Sequence, residues 1–124
     1  MPARAELVIG SSRAEVIAGL GPPESIQLSQ GGMQWTYLDL QGRTLQGAVQ
    51  FAGNRVTGVA DPAAVLVPGI RPDRGPYLGQ SRGELTMEMG GAILDQEGDR
   101  TTLHFVPSGV KVVTFQDVVV EILK

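Results

Sequence analysis

Residues 79–83, Gly-Gln-Ser-Arg-Gly, spell the G-x-S-x-G pattern of a serine nucleophile, and Asp95 or Asp99 and then His104 follow in hydrolase order. The chemistry would be acyl transfer, with His104 taking the Ser81 proton and a carboxylate orienting the imidazole. Such a nucleophile needs a sharp turn after a buried parallel strand, whereas Pro76 and Tyr77 precede this one. The short span from Ser81 to His104 cannot carry the sheet that separates triad members in that fold. An earlier near-copy, residues 10–14, Gly-Ser-Ser-Arg-Ala, has no His to partner it. The pattern is read as a helix start, and the chain as non-enzymatic.

Metal chemistry fares no better. Asp95-Gln96-Glu97-Gly98-Asp99 hints at a calcium loop, but Val106 stands where the bidentate Glu would fall. A solvated hairpin turn is expected there. His104 is the only His and there is no Cys, so zinc has too few ligands. His104 alternates with Leu103 and Phe105 and is expected to point outward from a strand. No cofactor is expected.

Binding is the remaining chemistry. Trp35 and Tyr37 are two apart and share one strand face. Either both pack under a helix, or one is exposed on an open sheet face as an anchor, where aromatic side chains concentrate binding energy. Residues 39–43, Asp-Leu-Gln-Gly-Arg, are the hairpin best suited to protrude. Trp35, Tyr37, Asp39, Arg43 and His104 are therefore the candidate protein-binding residues. A net charge of −3 without a basic stripe argues against nucleic acid. No apolar run approaches a membrane span.

The elements that must position these residues come from a phrase written twice. Gly10, Ser12, Arg13, Glu15 and Gly21 recur as Gly79, Ser81, Arg82, Glu84 and Gly90, 69 positions later. Both copies carry S-x-x-E, the capping-box spacing that starts a helix. Val16, Ile17 and Leu20, and later Leu85 and Met89, fall on one helical face. Gly21 and Gly90 suit a left-handed C-terminal residue, and Pro22 and Pro23 forbid continuation. Helices of about eight residues do not persist alone; they need a sheet to dock on.

Sheet signals follow each copy. ESIQL and MQWTYLDL flank Gly31-Gly32, RTLQGAVQF and NRVTGVA flank Ala52-Gly53, and GAILD, RTTLHFV, GVKVVTF and VVVEILK repeat the theme. Tyr37 aligns with Phe105, Val49 with Val113, Phe51 with Phe115 and Val59 with Ile122. Seventeen Gly and eight Pro suit such turns, and 5% aromatic content makes the interior mainly aliphatic. The expected fold class is α+β: two tandem helix-plus-antiparallel-sheet repeats, sheets joined edge to edge, both helices on one face. Residues 1–60 form the first repeat, 61–76 a Pro/Gly-rich linker and 77–124 the second.

The pattern of Val8-Ile9-Gly10, Ser12-Arg13, Glu15-Val16, Leu20-Gly21, Pro23, Trp35, Tyr37 and Val49-x-Phe51 resembles the SmpA/OmlA (BamE-like) family. The second copy follows it through Leu78-Gly79, Ser81-Arg82, Glu84-Leu85, Met89-Gly90, Phe105 and Val113-x-Phe115, without the Pro and the Trp. The tandem arrangement resembles that of the β-lactamase inhibitory protein family. The resemblance implies a protein-binding module, in bacterial envelope assembly or as a scaffold. Its alternatives are an inhibitor of an enzyme, with residues 39–43 inserted into it, and a small-ligand binder.

Two expectations concern presentation. The strand VVVEILK is dense in β-branched residues, so it should be paired on both sides, either centrally or across a homodimer. Val118, Val120 and Ile122 would then face the second helix. The compartment is expected to be cytoplasmic if Met1 is the true start, and envelope or secreted if an export signal was removed.

Overall fold

The computed structural model describes residues 3–4, 8–29, 31–73, 75–106 and 108–123. The chain divides into two compact units, Met1–Arg71 and Pro72–Lys124. Among the described residues it is mostly antiparallel β, with 49% strand against 15% helix. This corrects the α+β class. The strands form two separate sheets, of six and four strands, instead of one continuous sheet. The capping boxes gave the helices strong local signals, yet each helix is only eight residues long. The hairpins, with weaker signals per residue, make up most of the chain.

In the first unit, α1 spans Arg13–Leu20 and buries Val16, Ile17 and Leu20. Ser12 Oγ accepts from the Glu15 N–H at 3.2 Å, and Glu15 Oε1 accepts from the Ser12 N–H at 2.9 Å, closing the capping box. Those bonds, with Arg55 nearby, hold the Glu15 carboxyl below its ordinary pKa. The sheet contains β1 (Ala3–Arg4), β2 (Ser25–Ser29), β3 (Gly32–Asp39), β4 (Thr44–Ala52), β5 (Arg55–Val59) and β6 (Val65–Val67). β2, β3, β4 and β5 run as an antiparallel meander, and β6 pairs with the far end of β3.

Strand alternation puts Met33, Trp35 and Tyr37 together in the core, all buried. The Trp35 and Phe51 rings lie 4.5 Å apart at 48°. Trp35 opposes Val49 but Tyr37 opposes Leu45, so β4 carries two extra residues at a bulge. Gly47, at φ +68, takes the turn inside it.

Residues 61–71 of the stretch read as a linker belong to this unit, and 72–76 to the second. Within residues 61–71, β6 brings Leu66 into the core. The Gly69 N–H then donates to the Leu20 carbonyl at 2.7 Å. A Cβ on Gly69 would lie 1.9 Å from the Pro22 oxygen, and one on Gly21 2.3 Å from the Gly69 oxygen. Backbone lies on backbone here, which glycine alone permits.

In the second unit, α2 spans Arg82–Met89 and is followed by β7 (Ile93–Glu97), β8 (Arg100–Phe105), β9 (Val110–Phe115) and β10 (Val118–Leu123). The sheet order is β10-β9-β8-β7. Leu85 packs with Leu103, Phe105, Val112 and Val119. Ser81 Oγ accepts from the Glu84 N–H at 3.1 Å, but the box is only half made. The Glu84 carboxylate instead takes the Tyr77 hydroxyl at 3.0 and 3.1 Å, where the first unit has Val8.

The expectations for VVVEILK need two corrections; its last residue, Lys124, lies outside the described residues. First, β10 is not central: among the described residues it ends its sheet and pairs as a strand with β9 alone. Its outer side is covered at the start by residues 79–82: Gly79 N–H donates to the Val119 carbonyl, Val119 N–H to Gln80 and Arg82 N–H to Asp117. Second, the register shifts between Val119 and Glu121, a bulge at Val120 that reverses which residues face inward. Val119 packs with Leu85 and Ile122 lies against the same cluster as expected, while Val118 and Val120 are buried outside it.

The bonds that cover β10 recur in the first unit. Gly10 N–H donates to the Val56 carbonyl at 3.0 Å, Val56 N–H to Ser11 at 2.9 Å, and Arg13 N–H to Asn54 Oδ1 at 3.1 Å. Ser12 bridges Arg55 as Ser81 bridges Val118. The repeated phrase thus covers a strand edge and then caps a helix, which is why its residues recur. The expected alignment holds for Tyr37 with Phe105 and Val59 with Ile122, but that of β4 with β9 is off by one. Leu103 opposes Val112 as Trp35 opposes Val49, so Val49 matches Val112 and Phe51 matches Thr114. Phe115 lies on the other face of its strand from Phe51's equivalent, as a one-residue slip requires.

Candidate functional site

The Asp39–Arg43 hairpin tip is ordered around one carboxylate. Asp39 Oδ1 accepts from the N–H groups of Gln41 and Arg43, both at 2.9 Å. Its Oδ2 accepts from Arg43 Nε at 2.9 Å, and Arg43 Nη2 donates to Gln41 Oε1 at 2.8 Å. Two backbone bonds close the turn, Asp39 N–H to the Arg43 carbonyl and Gly42 N–H to the Asp39 carbonyl. Gly42 has φ +79, a conformation open to glycine without strain. The Arg43 N–H, then the guanidinium and the Gln41 N–H, hold the Asp39 carboxyl below its ordinary pKa. The Arg43 side chain is 75% exposed, so the ion pair contributes shape more than stability.

Ordering the polar residues leaves one apolar side chain presented. Leu40 is 60% exposed on the same turn. Beside it opens a cleft of about 540 Å³, lined by Asp39, Arg43, Leu45, Asp61 and Val65 among others. Asp61 builds the far wall: its Oδ1 accepts from the Ala63 N–H and its carbonyl from the Ala64 N–H, both at 3.0 Å. The cleft joins the tip that the sequence singled out to a segment that it did not.

The candidate residues separate into two groups. Asp39 and Arg43 share this tip. Trp35 and Tyr37, 0% and 1% exposed, follow the first of the two expected alternatives: both are core, and neither is a surface anchor. Tyr37 donates its hydroxyl to the Gly21 carbonyl, and burial pushes its pKa above the ordinary tyrosine value. His104 belongs to the second unit, half-buried on β8 between Ile93 and Lys111 in register. It is not part of the tip. Leu40 was missed as a site residue in its own right; its signal was an apolar residue inside a polar turn closed by Gly42.

The decoys have structural tasks. Ser81 caps α2, and Asp95, Glu97 and Asp99 belong to an exposed hairpin. Among the described residues no group of three His, Cys, Asp or Glu side chains is gathered to hold a metal ion. No helix among them is long and apolar enough to cross a membrane. No protein-family model matches the chain, and neither does any curated protein or solved structure.

Proposed function

We propose that this chain is a non-enzymatic protein-binding module that docks through the Asp39–Arg43 tip. The observation that carries the reading is the Asp39 carboxylate, which fixes the turn with Leu40 presented to solvent. A loop already held in one shape loses less entropy on association. An apolar anchor ringed by ordered polar groups is the usual make-up of an energetic centre in an interface. The adjoining cleft offers room for a partner's side chain.

Envelope assembly or a scaffold role is the setting we propose, on the SmpA/OmlA resemblance of residues 8–51. The same tip supports an alternative, insertion of Leu40 and Arg43 into an enzyme's groove as an inhibitor. Affinity capture from the source organism separates these. The wild-type chain and Met87→Glu, altered at an exposed position in the other unit, should retain the same partner. Leu40→Glu should lose it. A folded Leu40→Glu protein that keeps the partner would disprove docking at the tip. Decreased turnover of a captured enzyme would favour inhibition over assembly.

A further inference from the structure

We propose that a second copy of this chain pairs with β2, antiparallel about a two-fold axis through Gln27, merging two copies of the six-stranded sheet. Among the described residues β2 pairs only with β3. Among these residues its other side is an unpaired strand edge, which invites strand addition unless charge, proline or a bulge prevents it. The edges of β5 and β7 and the start of β10 have such protection. β5 and the start of β10 are covered by the repeated phrase, while β7 carries Asp95 and Glu97. β2 reads Ser-Ile-Gln-Leu-Ser, without charge or proline, and holds its register with β3 over all five residues.

The occupant follows from the residue order. A two-fold interface must be complementary to itself. Residues 25–29 read nearly the same in both directions around Gln27. Antiparallel pairing on that centre sets Ser25 against the partner's Ser29, Ile26 against the partner's Leu28, and Gln27 against the partner's Gln27. No charge meets a like charge. Self-pairing of β7 about Asp95 would instead oppose two carboxylates, which destabilises a strand pair. Ile26 and Leu28 are half-buried and oppose Trp35 and Met33 in register, so the pairing continues the core layer across the axis.

The opposite face adds a second match. Gln27, Gln34 and Gln50 occupy one row across three strands, and Gln46 Nε2 donates to Gln27 Oε1 at 2.7 Å. Glycines at 47 and 58 leave room along the row: a Cβ there would come within 3.2 Å of Gln34 Oε1 and 3.1 Å of Gln50 Oε1. The axis extends this row from three amides to a ladder running through both copies. Such amide ladders reinforce strand pairing.

The chain has no cysteine, so single thiols report the geometry cleanly. On the axis, Gln27→Cys would face its own mate at about 4.5–5.5 Å between Cα atoms, within disulfide reach. Ser25→Cys would lie about 14 Å from its mate, at roughly 3.4 Å per residue, and cannot close. Under mild oxidation Gln27→Cys should become a covalent dimer. Ser25→Cys and Ser29→Cys should each form no disulfide alone and cross-link when mixed. In sedimentation equilibrium the wild-type mass should rise with concentration from 13.1 kDa toward twice that value. Wild-type mass constant at 13.1 kDa up to the solubility limit overturns the proposal, even if another protein's strand binds β2. So does Ser25→Cys cross-linking to itself as fast as Gln27→Cys. Far-UV circular dichroism of each variant confirms that the sheet is intact, and the two serine variants keep the test valid should Gln27→Cys misfold.

Discussion

The Tyr37 hydroxyl donates a 2.7 Å hydrogen bond to the Gly21 carbonyl, tying β3 to the end of α1. Tyr37→Phe keeps the ring and removes the donor, leaving a part-buried carbonyl without that partner. The expected cost is about 1–3 kcal/mol. Urea titration should show a lower midpoint with an unchanged slope, because the surface exposed on unfolding stays the same. An unchanged midpoint would mean that water replaces the hydroxyl without loss.

The Gly69–Pro22 crossing gives a sharper test of the same corner. Gly69→Ala forces backbone apart and disrupts the Gly69 N–H bond to Leu20, so it should cost about 3 kcal/mol. Gly53→Ala has open space around its new methyl and carries only the left-handed strain of φ +58, about 1–2 kcal/mol. If thermal unfolding ranks Gly53→Ala as the more damaging change, residues 68–70 do not lie on the end of α1.

Why the sequence revealed some of this and concealed the rest follows from the range of each interaction. Ser12, Glu15 and Gly21 act within one helix, so their spacing announces the element. The tip was legible for the same reason: Asp39, Gly42 and Arg43 bond to one another. The bulges were not, because extra residues at Gly47 or Val120 leave the apolar composition unchanged and are fixed by the opposing strand. Nor was β6, whose three residues pair only because β3 supplies an edge. Trp35 and Tyr37 had the right alternation for either burial or display. Only α1 and the Gly21 carbonyl decide in favour of burial.

Acid should loosen the tip before it affects the core. The Asp39 carboxyl titrates below its ordinary value of 3.8 in the folded chain. A depressed folded pKa means that its contribution is complete above the unfolded pKa and is lost as pH falls through the folded one. The Gln41 and Arg43 amide resonances should therefore move together with a single midpoint below 3.8, while Trp35 stays native. Asp39→Asn should abolish that titration and leave Leu40 on a mobile turn at neutral pH. A midpoint at or above 3.8 would show that the carboxylate is not bonded as described.

The bulge at Val120 decides which face of β10 is core, and substitutions can read it directly. An unbroken strand would put Val118, Val120 and Ile122 toward α2 and leave Val119 on the other face. The observed register puts Val119 against Leu85 and Phe105. Val119→Ala should then cost about 2 kcal/mol, from lost burial and the space left behind. Glu121→Ala, on an exposed side chain, should fall within about 0.5 kcal/mol of wild type. Val119→Asp would bury a carboxylate with no partner and should unfold the second unit outright. Val119 is also bonded through its amide to the Gln80 carbonyl, so hydrogen exchange offers an independent reading. Its amide should exchange slowly in the wild-type chain and rapidly in Val119→Ala only as far as global stability falls. A folded Val119→Asp protein would mean that the strand runs straight and that this face of β10 is not the core.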